Sequence, residues 1–68
     1  MRVQIKINGK TTDVPENHTL LDLITLENLN LSAIVVEHNR TIVPAPEWPA
    51  IVLQPDDAVE ILTFVGGG

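Results

Sequence analysis

The 68-residue sequence predicts an α+β domain of two layers, a mixed sheet of four to five strands packed on one helix. Three observations lead there. Apolar and polar residues alternate with period two at residues 2–7, and 59–65 reads as a strand with apolar residues on both faces. One short stretch, 20–28, has helical periodicity. Asn8-Gly9, a proline-rich run and Asp56-Asp57 punctuate the remainder as turns.

The elements follow in order. Val3, Ile5 and Ile7 share one face of the first strand, with Arg2, Gln4 and Lys6 on the other. Asn8-Gly9 is a strong hairpin signal, because both residues tolerate positive φ. Lys10 to Val14 returns as the second strand, which Pro15 ends. Thr19 is placed to cap a helix, with Asp22 three residues on near the positive end of its dipole. At about 100° per residue Leu20, Leu23 and Ile24 cluster, flanked by Leu21 and Leu26, while Asp22 and Thr25 face away. Asn28 and Asn30 mark the end of that helix.

Ala33 to Val36 is an uninterrupted apolar run, expected as a central strand covered on both faces. Glu37 to Arg40 supplies a turn, and Thr41 to Val43 pairs back. The three prolines of "PAPEWPA" (44–50) exclude a regular ladder; one helical turn over Pro46 to Trp48 is expected, with Trp48 at the core edge. Asp56-Asp57 turns the chain into a last strand, Val59 to Val65. Val59, Ile61, Thr63 and Val65 lie on one face of it; Glu60, Leu62 and Phe64 lie on the other. One helix covers only one face of a sheet, so Leu62 and Phe64 are candidates for an exposed docking patch. With the first and last strands side by side at the centre, this order matches the β-grasp, or ubiquitin-like, fold.

Composition narrows the function classes. One small domain without cysteine has neither a disulfide framework nor a thiolate metal site, so its 44% hydrophobic content must supply the core. A net charge of −5, with only Arg2, Lys6, Lys10 and Arg40 basic, disfavours nucleic acid and favours a basic protein surface as partner. No apolar run reaches the roughly 20 residues that span a bilayer, and the N-terminus reads as a strand instead of a signal peptide, so a cytoplasmic protein is expected. The three Asn-X-Ser/Thr triplets at Asn17, Asn30 and Asn39 are then chance matches. His18 and His38 stand alone in turn regions, so no metal site is expected. Asp56 and Asp57 are expected to be solvated turn formers without a catalytic role.

The sequence ends "TFVGGG", an apolar strand running into Gly66, Gly67 and Gly68. The expected organisation is a β-grasp domain over 1–65 and a flexible glycine tail over 66–68. Backbone without Cβ passes through a narrow slot and accepts positive φ, and three extended residues reach roughly 10 Å. Such an arm suits delivery of a carboxylate into another protein's pocket.

The short β-grasp, "IVP" followed by a tryptophan (Ile42, Val43, Pro44, Trp48), "VEILTFV" and the terminal "GGG" together resemble the ThiS/MoaD family of ubiquitin-like sulfur carriers, on the side that serves thiamine biosynthesis. The resemblance spans essentially the whole chain. One departure is Pro55-Asp56-Asp57-Ala58, where the family usually has an Asp-Gly-Asp-like turn. The resemblance implies a carrier and co-substrate, not an enzyme, with no bound cofactor. A ThiF/MoeB-type adenylating enzyme would use ATP to activate the Gly68 carboxylate, Gly66 and Gly67 threading that enzyme's active site. Sulfur would then replace the adenylate, and a ThiG-type thiazole synthase would take it from the resulting thiocarboxylate. Two alternatives share the fold: a sulfur carrier for another pathway, such as the small subunit of molybdopterin synthase, and a β-grasp interaction module or protein modifier, the latter with a tail that forms an amide with a lysine.

Overall fold

The structure, a computed structural model, describes residues 1–27 and 30–64. Strands β1 (Arg2–Ile7) and β2 (Lys10–Pro15) form the expected hairpin, with Val3 opposite Val14 and Ile5 opposite Thr12. Its two turn residues, Asn8 (φ 49) and Gly9 (φ 83), are both left-handed, as a tight two-residue hairpin requires.

Helix α1 (Leu20–Leu26) begins with a reciprocal capping box. The Thr19 hydroxyl accepts the Asp22 amide at 3.1 Å, and the Asp22 carboxylate accepts the Thr19 amide at 3.0 Å. The carboxyl of Asp22 is held below its ordinary value, first by that backbone amide and then by the threonine hydroxyl. Leu20, Leu23 and Ile24 are buried and Leu21 is half-buried, as their spacing predicts, but Leu26 is exposed. The helix closes two residues earlier than expected: the Glu27 amide makes the last-turn bonds, to Leu23 and Ile24. Asn28 lies outside the described residues.

A 3₁₀ turn (Leu31–Ala33), capped by Asn30, leads into β3 (Ile34–His38). This strand runs two residues past the expected Val36, because the turn needs only Asn39 and Arg40, both left-handed (φ 50 and 72). The partner β4 (Thr41–Ile42) is correspondingly short. One face of β3 is covered rather than two: Ile34 and Val36 are buried, and Val35 is half-buried. Ala45–Ala50 forms a second 3₁₀ segment, longer than the single turn expected. Trp48 sits inside the core at 3% exposure, not at its edge, and its indole N–H donates to the Val43 carbonyl at 2.8 Å.

The last strand, β5 (Ala58–Thr63), takes the middle of a five-stranded sheet ordered β2-β1-β5-β3-β4. It runs parallel to β1 and antiparallel to β3, so the first and last strands do lie side by side. The turn before it places Asp56 at φ 70, so an aspartate takes the left-handed position here, as short polar side chains can. Helix α1, Trp48 and Leu53 cover one face of the sheet, packed on Ile5, Val14, Val36, Val59 and Ile61. Each fully buried Leu or Ile contributes about 1.5–3 kcal/mol relative to exposure. Among the described residues no helix is long and apolar enough to cross a membrane.

Candidate functional site

Residues directly opposite one another on paired strands project to the same face. The register therefore defines the side of the sheet away from α1. Leu62 faces Val35, Glu60 faces Glu37, and Glu37 in turn faces Ile42. Leu62 is 53% exposed, Phe64 62% and Ile42 64%. The two residues expected to form an uncovered patch are thus exposed, and they extend an apolar surface that includes Ile42 and the half-buried Val35. Sequence reasoning missed these two, although the Ile34–Val35–Val36 alternation carries the signal once one face is known to be covered. Glu37 and Glu60 face each other beside the patch, and neither is within 4.0 Å of a basic group among the described residues. Like charges so placed destabilise the free sheet and favour a cationic partner.

The exit of β5 is held from both sides. On the β3 side the Phe64 amide donates to the Ala33 carbonyl at 2.8 Å. On the β1 side Asn8 grips the strand. Its backbone amide donates to the Val59 carbonyl (2.9 Å), while its carboxamide accepts the Ile61 amide (2.8 Å) and donates to the Ile61 carbonyl (3.3 Å). Gly66, Gly67 and Gly68, like Val65, lie outside the described residues.

At the other end of β5, Asp57 is buried (8% exposed) instead of solvated. Its carboxylate accepts the Gln54 amide at 2.9 Å, the Asn39 carboxamide at 3.0 Å and lies 2.7 Å from His38 Nε2. Burial pushes this carboxyl up, but the Gln54 amide, His38 and Asn39 outweigh it and hold the group below its ordinary value. Asn39 also exchanges two hydrogen bonds with the Ala58 backbone. His38 closes β3 rather than lying in a turn, and its ring is committed to this cluster. His18 Nδ1 is 3.9 Å from Asp22. No group of three or more His, Cys, Asp or Glu converges as a metal site among the described residues. What the described residues offer is an exposed apolar face on the last strand, which precedes the three glycines in sequence.

The ThiS family model matches residues 2–68. The chain belongs to the ThiS family. The crystal structure of the thiamine biosynthesis protein ThiS from Geobacter metallireducens superposes with a TM-score of 0.82 at 29% identity, over 97% of this chain and 100% of that one. The likeness confirms the β-grasp architecture, with its mixed five-stranded sheet and, among the described residues, one α-helix. The sulfur carrier protein ThiS of Bacillus subtilis is 31% identical over 65 residues, which span 94% of this chain and 98% of that protein. A thiazole synthase of Magnetococcus marinus is 32% identical over 66 residues, 97% of this chain but only 20% of that protein's length.

Proposed function

We propose that this chain is a sulfur carrier of thiamine biosynthesis, cytoplasmic, and a co-substrate in place of a catalyst. The observation that carries the reading is the build of β5 in a member of the ThiS family: a central strand with a free apolar face, running toward Val65–Gly68. Residues 1–65 act as the docking body and 66–68 as the arm.

The chemistry follows from the carboxylate. Ionised at pH 7, it resists nucleophiles until activated. A Gly68 oxygen attacks the α-phosphorus of ATP in a ThiF/MoeB-type partner, and pyrophosphate leaves. A sulfide-equivalent nucleophile then adds to the acyl carbon and AMP leaves, giving a thiocarboxylate. Leu62 and Phe64 dock on the partner, and Gly66 and Gly67 present bare backbone to its active-site slot. The similarity to a segment of a thiazole synthase supports a ThiG-type enzyme as the acceptor over pterin chemistry.

The test is mass spectrometry after incubation with the ThiF-type enzyme, ATP and a sulfur donor. The expected result is a mass gain equal to replacing one oxygen by sulfur, confined to the peptide that contains Gly68. Sulfur on any other peptide, or a stable amide to lysine, would sink the reading.

A further inference from the structure

We infer that Glu37, with Glu60 beside it, selects the partner of the docking face: the pair accepts a protein surface that sets an arginine over the two carboxylates, and turns away a purely apolar one. The inference rests on the sulfur-carrier reading above. The register places the pair inside the patch and not at its rim. On the open face Leu62 stands opposite Val35, and in the next row Glu60, Glu37 and Ile42 lie side by side across β5, β3 and β4. A line from Leu62 to Ile42 therefore crosses β3 between Val35 and Glu37. A surface that seats on both of these exposed residues covers Glu37, which is already half-buried. Covering a carboxylate is strongly unfavourable unless the partner brings a counter-charge.

Among the described residues no cation of this chain meets the pair within 4.0 Å. Arg2 and Lys6 stand on the same face, but on β1, beyond β5. Lys6 is level with Ala58, and two strand spacings, roughly 10 Å, separate β1 from β3. A second copy seated patch to patch brings two more carboxylates and no cation, since Arg2 and Lys6 lie outside the patch. Directly opposed side chains have Cβ atoms about 5 Å apart, a separation that one planar guanidinium spans with donors along two edges; a lysine supplies only a point charge. In the free protein the opposed glutamates weaken the sheet, and the compensation comes at docking. The signature is a pair of opposite effects: removal of one charge strengthens the fold and weakens the complex.

The experiment compares the full chain with Glu37→Gln, Glu60→Gln, the double variant and Asp13→Asn, using the ThiF-type adenylating enzyme of the same genome. Asp13 is an exposed acid on β2, opposite Gln4 on the same face, so its variant removes an equal charge away from the patch. Calorimetric titration gives the dissociation constant, ATP–pyrophosphate exchange gives kcat, and thermal melts give stability. Glu37→Gln should raise the dissociation constant about tenfold or more and leave kcat within about twofold. It should also raise the melting temperature by a few degrees. Glu60→Gln should act in the same directions, and it carries the test if Glu37→Gln does not fold. Added salt should weaken binding of the parent more than that of the double variant. Asp13→Asn should bind as the parent does. Equal affinity for the glutamine variants and the parent, an equal loss in Asp13→Asn, or a loss of affinity accompanied by a fall in melting temperature would each overturn the inference. So would a dimer of the parent in sedimentation equilibrium that Leu62→Glu dissolves, since a second copy would then occupy the patch. Those outcomes leave the carrier reading standing. Failure of the parent chain to be adenylated would overturn that reading itself, and this inference with it.

Discussion

Asp57 shows how little of a side chain's role its neighbours in sequence reveal. Beside Asp56 in a turn, it reads as a solvated aspartate. Its partners His38 and Asn39 are 19 and 18 residues away, and only the pairing of β3 with β5 brings them to it. Its carboxyl is held below the ordinary value, so its contribution to stability is present above about pH 4 and is lost as pH falls from there toward the folded-state value. Asp57→Asn loses an acceptor for the Gln54 and Asn39 donors and should cost about 1–3 kcal/mol at pH 7. Denaturant melts of parent and variant between pH 7 and pH 2 check both claims: the stability gap should narrow below pH 4. A constant gap would mean that the carboxylate charge is irrelevant to the cluster. The capping box at Thr19 and the hairpin at Asn8-Gly9 were legible beforehand because both are local, made by residues within four positions of each other.

At the scale of elements, β5 was the most legible, since its pattern is apolar on both faces and only one helix was available to cover it. The faces then part in their consequences. Val59 and Ile61 pack under α1, so Ile61→Val should destabilise by about 0.5–1.5 kcal/mol, with partner binding unchanged below the melt. Leu62 and Phe64 are exposed, so Leu62→Glu and Phe64→Glu should leave the melting temperature within a few degrees while raising KM for adenylation. Each introduces a third carboxylate beside Glu37 and Glu60. Calorimetric melts and ATP–pyrophosphate exchange separate the two outcomes; unfolding by either glutamate would move the patch into the core and end the docking assignment. The element limits were less legible. β3 outruns its apolar stretch through Glu37 and His38, because strand length is set by the tight Asn39-Arg40 turn and by pairing with β5.

Over the whole molecule, the proposal divides labour between a folded body and an arm without side chains. Among the described residues every buried apolar residue of the core lies at or before Ile61. A chain cut after Val65 should therefore fold, with a melting temperature within a few degrees of the parent. Its docking face is complete, yet it has no glycine carboxylate at the required reach. It should accordingly inhibit adenylation of the full chain competitively, with an inhibition constant within about threefold of the parent's KM, and undergo no exchange itself. Gly67→Ala provides the complement, and it should shift stability by less than about 0.5 kcal/mol. In a slot shaped for bare backbone that methyl clashes or displaces the carboxylate, and kcat should drop by an order of magnitude or more, with KM little changed. If the truncated body failed to compete, recognition would reside in the tail and not in the sheet. If Gly67→Ala turned over normally, the slot would accept side chains, and the run of three glycines would need another explanation.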